Sequence, residues 1–128
     1  MRSTVNSPDA PTALGPYSQA VIQGGLLWCS MQLGLDPASG EAVGVDDVAA
    51  QAEQALRNLD AICHDADTAL NNALRCTIYC TDLSAFAAIN AVYATWFEEP
   101  FPARCCIGVA ALPKGALVAI DAVVELRG

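Results

Sequence analysis

The pattern of apolar and polar positions divides the first third of the chain into two short strands and a loop. Residues 17–30, YSQAVIQGGLLWCS, place two apolar stretches on either side of Gly24 and Gly25. Paired glycines reach the positive φ angles that a tight hairpin turn requires. Residues 36–41, DPASGE, combine Pro, Asp, Ser and Gly, which is typical of a turn. The pattern therefore predicts a β-hairpin followed by a loop.

Two helices alternate with strands in the rest of the chain. Asp46 or Asp47 can cap a helix whose apolar stripe continues to Cys63. The opposite face of this helix is expected to carry Gln51, Glu53, Arg57 and Asp60. Residues 74–80 are rich in strand formers, and residues 81–97 return to a helical period. A strand and a second helix are therefore predicted.

The last third predicts two more strands and gives the fold class. Pro100 and Pro102 end the second helix, and apolar strands follow at residues 104–110 and 116–126, separated by an LPKG turn. The predicted order is ββαβαββ, an α+β fold with one mixed sheet and two helices on one face. We treat residues 1–128 as one domain in which residues 1–12 form a loose N-terminal segment. The uncovered sheet face would be buried by something else, for which another copy of the chain is the simplest candidate.

Composition supports self-association and argues against two classes of partner. Hydrophobic residues make up 54% of the chain and charged residues 16%, which is apolar for a globular protein. The net charge of -8 argues against binding to nucleic acid or to membrane surfaces. No apolar run has the length of a signal peptide core or a membrane span. We therefore expect a cytoplasmic protein.

The cysteines and the single histidine predict neither a disulfide framework nor a metal site. The six cysteines lie within apolar periodic segments, so buried free thiols are the favoured interpretation. Cys76 and Cys80 have the wrong spacing for a metal knuckle, and Cys105 and Cys106 would point to opposite faces of a strand. His64 fits a solvated residue at a helix end.

Arg104 is the candidate binding residue that the pattern singles out. It follows two prolines that restrict the backbone, so its guanidinium is held at the start of a strand. A fixed guanidinium fork suits a carboxylate. The residues alone leave two alternatives open, an ion pair with one of the fourteen acids of the chain or the binding of a carboxylate ligand.

Several blocks of sequence resemble the RidA family, also called YjgF, reactive intermediate deaminase or L-PSP. They are ALGPYSQAV at 13–21, LDPASGE at 35–41, QAEQALRNL at 51–59, TDLSAFAAINAVYATWF at 81–97 and PARCCIGVAALPKGA at 102–116. The resemblance implies a chorismate-mutase-like fold and a homotrimer with a central barrel and ligand clefts between subunits. It also implies hydrolysis of enamines and imines, such as 2-aminoacrylate, to a keto acid and ammonia without a cofactor.

The resemblance assigns roles to five residues at the cleft. Arg104 matches the arginine that binds the substrate carboxylate, and Tyr17 matches an aromatic residue of the cleft wall. Ser30 matches the serine of a Ser-Gly-Gln turn, and Cys106 matches a pocket cysteine. Met31 stands where the family has the glycine of that turn, so the pocket shape should differ. Plain packing in the core or at an interface remains the alternative for Tyr17 and Cys106.

A second departure concerns the catalytic acid. Deaminating members carry a glutamate at the position of Ala119, where it is thought to position the attacking water or relay its proton. Asp121 and Glu125 share a strand face with Ala119, which gives the hypothesis that Asp121 positions the water instead. Because alanine lacks an acid, the main alternative function is a non-catalytic trimer that binds small carboxylic acids or regulates a partner enzyme.

Two other functions receive less support from the sequence. Old labels in this family suggest a ribonuclease or translation inhibitor, but the acidic composition argues against that function. A redox-sensitive chaperone or sensor would need an exposed thiol with a lowered pKa, and Cys105 and Cys106 are the only pair beside a cation in the sequence.

Overall fold

A computed structural model describes residues 1–127 and contains one mixed β-sheet with two α-helices. The strands are β1 (Ser3–Val5), β2 (Ala20–Gln23), β3 (Leu26–Leu33), β4 (Ala73–Cys80), β5 (Ala103–Gly108) and β6 (Val118–Glu125). The helices are α1 (Val48–Asp65) and α2 (Phe86–Ala94). The strand order in the sheet is β1-β2-β3-β6-β4-β5, in which only β4 and β5 are parallel neighbours. The predicted α+β class and mixed sheet are confirmed.

The predicted hairpin and the cap of the first helix are also present. Gly24 and Gly25 have φ angles of 65° and 75° and join β2 to β3. Asp47 is the residue that caps α1, because its side chain accepts a hydrogen bond from the backbone N–H of Ala50. Helix α2 is shorter than the predicted segment, since residues 83–85 form a 3₁₀ turn before it.

The main core lies between the two helices and one face of the sheet. Leu56, Leu59 and Ile62 of α1 and Ile89 of α2 have no exposed surface and pack against Ile120 and Val124 of β6. These β6 residues alternate with residues on the opposite face, as a strand period of two requires.

None of the helices within residues 1–127 is long and apolar enough to cross a membrane.

One prediction about helix α1 is wrong, because Gln51 is buried rather than on the solvent face. It is 1% exposed, and its side-chain amide donates hydrogen bonds to the backbone oxygens of Gly44 and Val45. Its side-chain oxygen accepts a hydrogen bond from the backbone N–H of Leu117. These three bonds satisfy the buried amide and tie two loops to α1.

Residues 1–12, which the sequence analysis expects to be a loose N-terminal segment, make specific contacts with the sheet. Strand β1 pairs with β2 in antiparallel register. The buried side chain of Gln19 accepts a hydrogen bond from the Ser7 backbone N–H at 2.6 Å and donates to the backbone oxygens of Ser7 and Pro11. Because buried backbone groups require partners, Gln19 fixes this segment against the sheet.

No helix or strand of residues 1–127 covers the sheet face opposite the helices, and its end at Ala119 is buried by loop residues that include Leu35 and Ala116. We call this surface the open face; its residues include Trp28, Tyr79, Ile107, Asp121 and Val123. Trp28 and Ile107 on this face are 47% and 44% exposed, which is high for large apolar side chains of a sheet. The predicted one-sided placement of the helices is therefore present.

Candidate functional site

Strand β5 directs Arg104 toward helix α2. Arg104 pairs with Cys76, a fully buried residue of the helix-facing side of β4, so both side chains lie on that side. The Arg104 guanidinium carbon lies 5.2 Å from the Phe86 ring centroid and 5.0 Å from that of Tyr93. Its Nη1 donates a hydrogen bond to Asn90 Oδ1 at 2.6 Å. Cation–π contacts and one amide oxygen therefore hold the guanidinium.

The charge of Arg104 is not neutralised within the described chain. The ion pair found in residues 1–127 joins Arg57 to Glu53, and His64 Nε2 lies 3.5 Å from Asp60 Oδ2; neither contact involves Arg104. The internal ion pair left open by the sequence is thus not formed in this part of the molecule. An exposed guanidinium without an acid is available for an external anion.

Arg104 lies at the wall of a surface cavity of about 420 Å³. We call it the Arg104 cavity; it is lined by Asn90, Tyr93, Ala94, Phe101, Pro102 and Arg104. Helix α2 supplies half of these residues, and the segment that the two prolines constrain supplies the rest. The cavity thus combines one cation with aromatic and small apolar surfaces, which suits a small organic acid.

Tyr17, Ser30 and Met31 lie together at a second cavity of about 460 Å³. We call it the Tyr17 cavity; its other lining residues are Leu14, Gly15, Pro16, Leu33 and Pro113. Tyr17 Oη accepts a hydrogen bond from the Leu14 N–H, and Ser30 Oγ donates one to the Ser18 backbone oxygen at 2.7 Å. Met31 lies where the register between β3 and β6 shifts, between Cys29 and Gln32, and it is 37% exposed. The Met31 side chain therefore forms part of the cavity wall.

The two cavities do not share a lining residue in the single chain. The sequence-predicted residues are consequently brought together as two groups, with Arg104 in one and Tyr17, Ser30 and Met31 in the other. Cys106 lies on the same strand face as Arg104, half-buried against the core beside Cys80. Burial raises the pKa of the Cys80 thiol, and the neighbouring Cys106 raises it further.

Ala119 and Asp121 lie on the sheet face opposite Arg104. Ala119 has no exposed surface and packs with Leu33, which also lines the Tyr17 cavity, and with Leu35. Asp121 lies on the open face, where its Oδ2 accepts a hydrogen bond from Tyr79 Oη at 2.9 Å. Burial and this carboxylate raise the pKa of Tyr79. Asp121 lines neither cavity, so its proposed role in water positioning stays a hypothesis.

The prediction of buried free thiols holds for four of the six cysteines, while Cys105 and Cys106 are only partly buried. All six are free thiols, and Cys29, Cys63, Cys76 and Cys80 are buried. Cys105 and Cys106 lie on opposite faces of β5, and the Cys105 sulfur accepts a hydrogen bond from Arg75 Nη2 at 2.9 Å on the open face. Among residues 1–127 there is no cluster of three or more metal-ligating side chains.

Asn90 is a site residue that sequence reasoning missed. It lies four positions after Phe86 and three before Tyr93 on α2, so these side chains share one helix face. A polar residue within that otherwise apolar row is the signal that was available. The helical period of residues 81–97 does not reveal the role of Asn90, because its contact with Arg104 depends on how β5 docks beside the helix.

Comparison with known proteins places this architecture in a family. The sequence profile of the family described as endoribonuclease L-PSP matches residues 7–126. The crystal structure of RidA from the Antarctic bacterium Psychrobacter sp. matches with a TM-score of 0.92 and 42% sequence identity, covering 97% of this chain and 99% of that chain. The chain belongs to the RidA/YjgF family. The resemblance seen in the sequence is confirmed.

Curated relatives in the RidA/YjgF family match over nearly the whole chain. The RutC family protein y4sK of Sinorhizobium fredii is 50% identical over 98% of this chain and 99% of its own length. The 2-iminobutanoate/2-iminopropanoate deaminase of Bos taurus is 42% identical over 96% of this chain and 89% of its own length. Relatives with an imine deaminase name are thus close enough in sequence to guide a functional proposal.

Proposed function

We propose that this RidA-family chain is a deaminase that hydrolyses enamines and imines derived from 2-amino acids. The observation that carries the proposal is the Arg104 guanidinium, exposed beside a cavity and without an acid partner in residues 1–127. A 42% identical relative bears the name 2-iminobutanoate/2-iminopropanoate deaminase. The substrate class is therefore small 2-imino and 2-enamino acids, and the enzyme class is hydrolase.

A complete cleft would form between copies of the chain in a cytoplasmic homotrimer. The Tyr17 cavity of one copy would face the Arg104 cavity of the next, which would unite two residue groups that a single chain keeps apart. The exposed apolar side chains of the open face would become buried in a central barrel of the trimer. This assembly gives each cleft a carboxylate-binding side and an apolar wall.

The proposed chemistry needs orientation more than acid strength. Arg104 would bind the substrate carboxylate through two parallel hydrogen bonds and fix the adjacent C=N bond. Water would add to the imine carbon, and the resulting carbinolamine would release ammonia to leave the keto acid. The reaction is a hydrolysis with no net oxidation or reduction, so no redox cofactor is needed. Asp121 is the proposed residue for positioning water, and Tyr17, Ser30, Met31 and Cys106 would line the cleft.

The test is accelerated release of ammonia and keto acid from imines generated in situ by an unrelated amino-acid oxidase. We expect native protein to accelerate release and Arg104→Ala to lower kcat/KM by about a hundredfold, since a charged hydrogen-bond pair is lost. Arg104→Lys keeps the charge but not the fork, so an intermediate value is expected. Arg57→Ala is the matched control, because Arg57 is an exposed arginine paired with Glu53. No acceleration by native protein across several imines would refute the proposal.

A second candidate function is the binding of small carboxylates without catalysis, including regulation of a partner enzyme. The observation that favours it is the buried Ala119, which supplies no proton-transfer group where deaminating members carry glutamate. Equal binding of a keto acid by native protein and by an Ala119→Glu variant, with hydrolysis only in the variant, would support this function.

A further inference from the structure

Three side chains of helix α2 converge on the guanidinium of Arg104. Phe86, Asn90 and Tyr93 lie on one face of α2, and all three contact Arg104. The two rings hold the guanidinium carbon at 5.2 and 5.0 Å, while the Asn90 oxygen fixes the direction of Nη1 at 2.6 Å. A flexible arginine side chain is thereby held in one orientation by groups of a single helix.

All three of these contacting groups are electrically neutral. Aromatic faces and an amide oxygen attract a cation without cancelling its charge, whereas a carboxylate at the same place would form an ion pair. Of the donors of Arg104, Nη1 is engaged with Asn90, and no other hydrogen bond from the guanidinium is found in residues 1–127. The remaining N–H groups are available to a ligand.

We propose that Asn90 is a positioning residue that aims the Arg104 guanidinium at the ligand carboxylate while leaving its positive charge uncompensated. This inference rests on the proposed role of Arg104 as the carboxylate-binding residue. Asn90 acts through Arg104 and not on the ligand. The amide is essential to this role, because an acid of the same size would hold the arginine equally well but would compete with the ligand for it.

The test is isothermal titration calorimetry with 2-oxobutanoate and its uncharged analogue 2-oxobutanamide. We expect Asn90→Ala to weaken 2-oxobutanoate binding about tenfold, because the guanidinium loses the group that orients it. We expect Asn90→Asp to weaken it about a hundredfold, because the new carboxylate holds the guanidinium but neutralises its charge. Binding of 2-oxobutanamide should change less than twofold in both variants. Gln23→Glu is the matched charge control, since Gln23 is an exposed residue on β2, four strands from β5 in the sheet.

A double-variant experiment separates positioning from a general structural effect. In an Arg104→Ala background, Asn90→Ala should weaken 2-oxobutanoate binding no further, because Asn90 acts only through the arginine. Asn90 is exposed, so thermal unfolding midpoints of the variants should match those of the native protein. Equal weakening of both ligands, or unchanged 2-oxobutanoate binding in Asn90→Asp, would overturn the inference.

The same data distinguish this inference from the proposed deaminase function. If the variants behave as expected while native protein fails to accelerate imine hydrolysis, the positioning role stands and the deaminase function fails. If native protein does not bind 2-oxobutanoate but Arg104→Ala still abolishes imine hydrolysis, the deaminase function stands and the positioning role of Asn90 toward a carboxylate is refuted.

Discussion

The residue at position 119 bears on whether the chain hydrolyses imines or only binds carboxylates. Ala119 packs with Leu33 and Leu35 and has no exposed surface in the chain. An Ala119→Glu variant should raise imine hydrolysis by about a hundredfold, since one placed acid or base contributes roughly 10²–10⁴ in rate. It should also lower the free energy of unfolding by about 1–3 kcal/mol, because a larger side chain enters a packed site. Steady-state ammonia release and urea denaturation measure the two effects.

The matched control for this change is Ala119→Gln. Glutamine has nearly the size of glutamate and should cost similar stability, but it cannot transfer a proton. Equal rate gains in both variants would contradict an acid–base role at this position and would point to altered packing beside the Tyr17 cavity.

A second residue-scale prediction concerns the buried thiol of Cys76. Burial raises the pKa of Cys76 from 9.0 to about 11. Below about pH 9 the thiol is protonated in both states, and its contribution to stability is fully present. Between about pH 9 and 11 this contribution is lost, because the unfolded chain releases its proton before the folded chain does. The loss amounts to about 2–3 kcal/mol for a two-unit shift.

Urea denaturation as a function of pH tests this prediction. Between pH 9 and 11, the free energy of unfolding should fall less steeply in Cys76→Ala than in the native protein. The expected difference in slope corresponds to about one proton, or about 1.4 kcal/mol per pH unit. Below pH 8 the two stability profiles should run parallel, which separates the titration from the cavity that alanine leaves. Identical slopes above pH 9 would show that the pKa of Cys76 is the same in the folded and unfolded states, which would contradict the prediction.

At the scale of the element, helix α1 depends on one capping residue. The sequence left Asp46 and Asp47 as alternatives, and in the structure the Asp47 carboxylate bonds to the Ala50 N–H at 3.1 Å. Asp47→Ala should lower the free energy of unfolding by about 1 kcal/mol, since an orphan helix donor loses its partner. Asp46→Ala is the control, because both residues are exposed acids of equal charge. Equal losses in urea denaturation would mean that charge and not capping stabilises the helix start.

The same helix shows which parts of the fold the sequence can predict. The apolar stripe that local periodicity predicts for this helix contains Leu56, Leu59 and Ile62, and all three are buried in the core. Gln51 and Asn58 are also buried, and each bonds to backbone far away in sequence. Asn58 donates to the oxygens of Leu33 and Leu35, and Gln51 accepts from the Leu117 N–H. Helical spacing indicates only which face of the helix a residue occupies. It therefore cannot identify a polar side chain that is buried and bonds to backbone groups distant in sequence.

In the candidate site, too, the sequence predicts what depends on local residues and does not predict contacts between distant ones. Arg104 was found because two prolines and a strand fix its backbone, and the motif itself is local. Its neighbour Asn90 lies 14 residues away, and their contact exists only once β5 packs beside α2. The position of Asp121 on the opposite sheet face from Arg104 likewise depends on the pairing of β4 with β5 and β6.

At the scale of the whole molecule, the open face predicts self-association. Trp28 and Ile107 expose apolar surface on the sheet face that no helix of residues 1–127 covers. We expect three copies of the 13.3 kDa chain, about 40 kDa, by light scattering coupled to size exclusion. Ile107→Glu should shift the protein toward smaller species, because burying a carboxylate in an apolar interface costs several kcal/mol.

The control for that experiment is Val45→Glu, which places the same charge on an apolar side chain that is 72% exposed in the loop before α1. It should leave the mass unchanged, since this loop lies outside the open face. If both variants keep the native mass, the open face is not the contact surface. If Ile107→Glu yields smaller species that also lose imine hydrolysis while Val45→Glu retains it, a cleft shared between copies would explain why the Arg104 and Tyr17 cavities are separate in one chain.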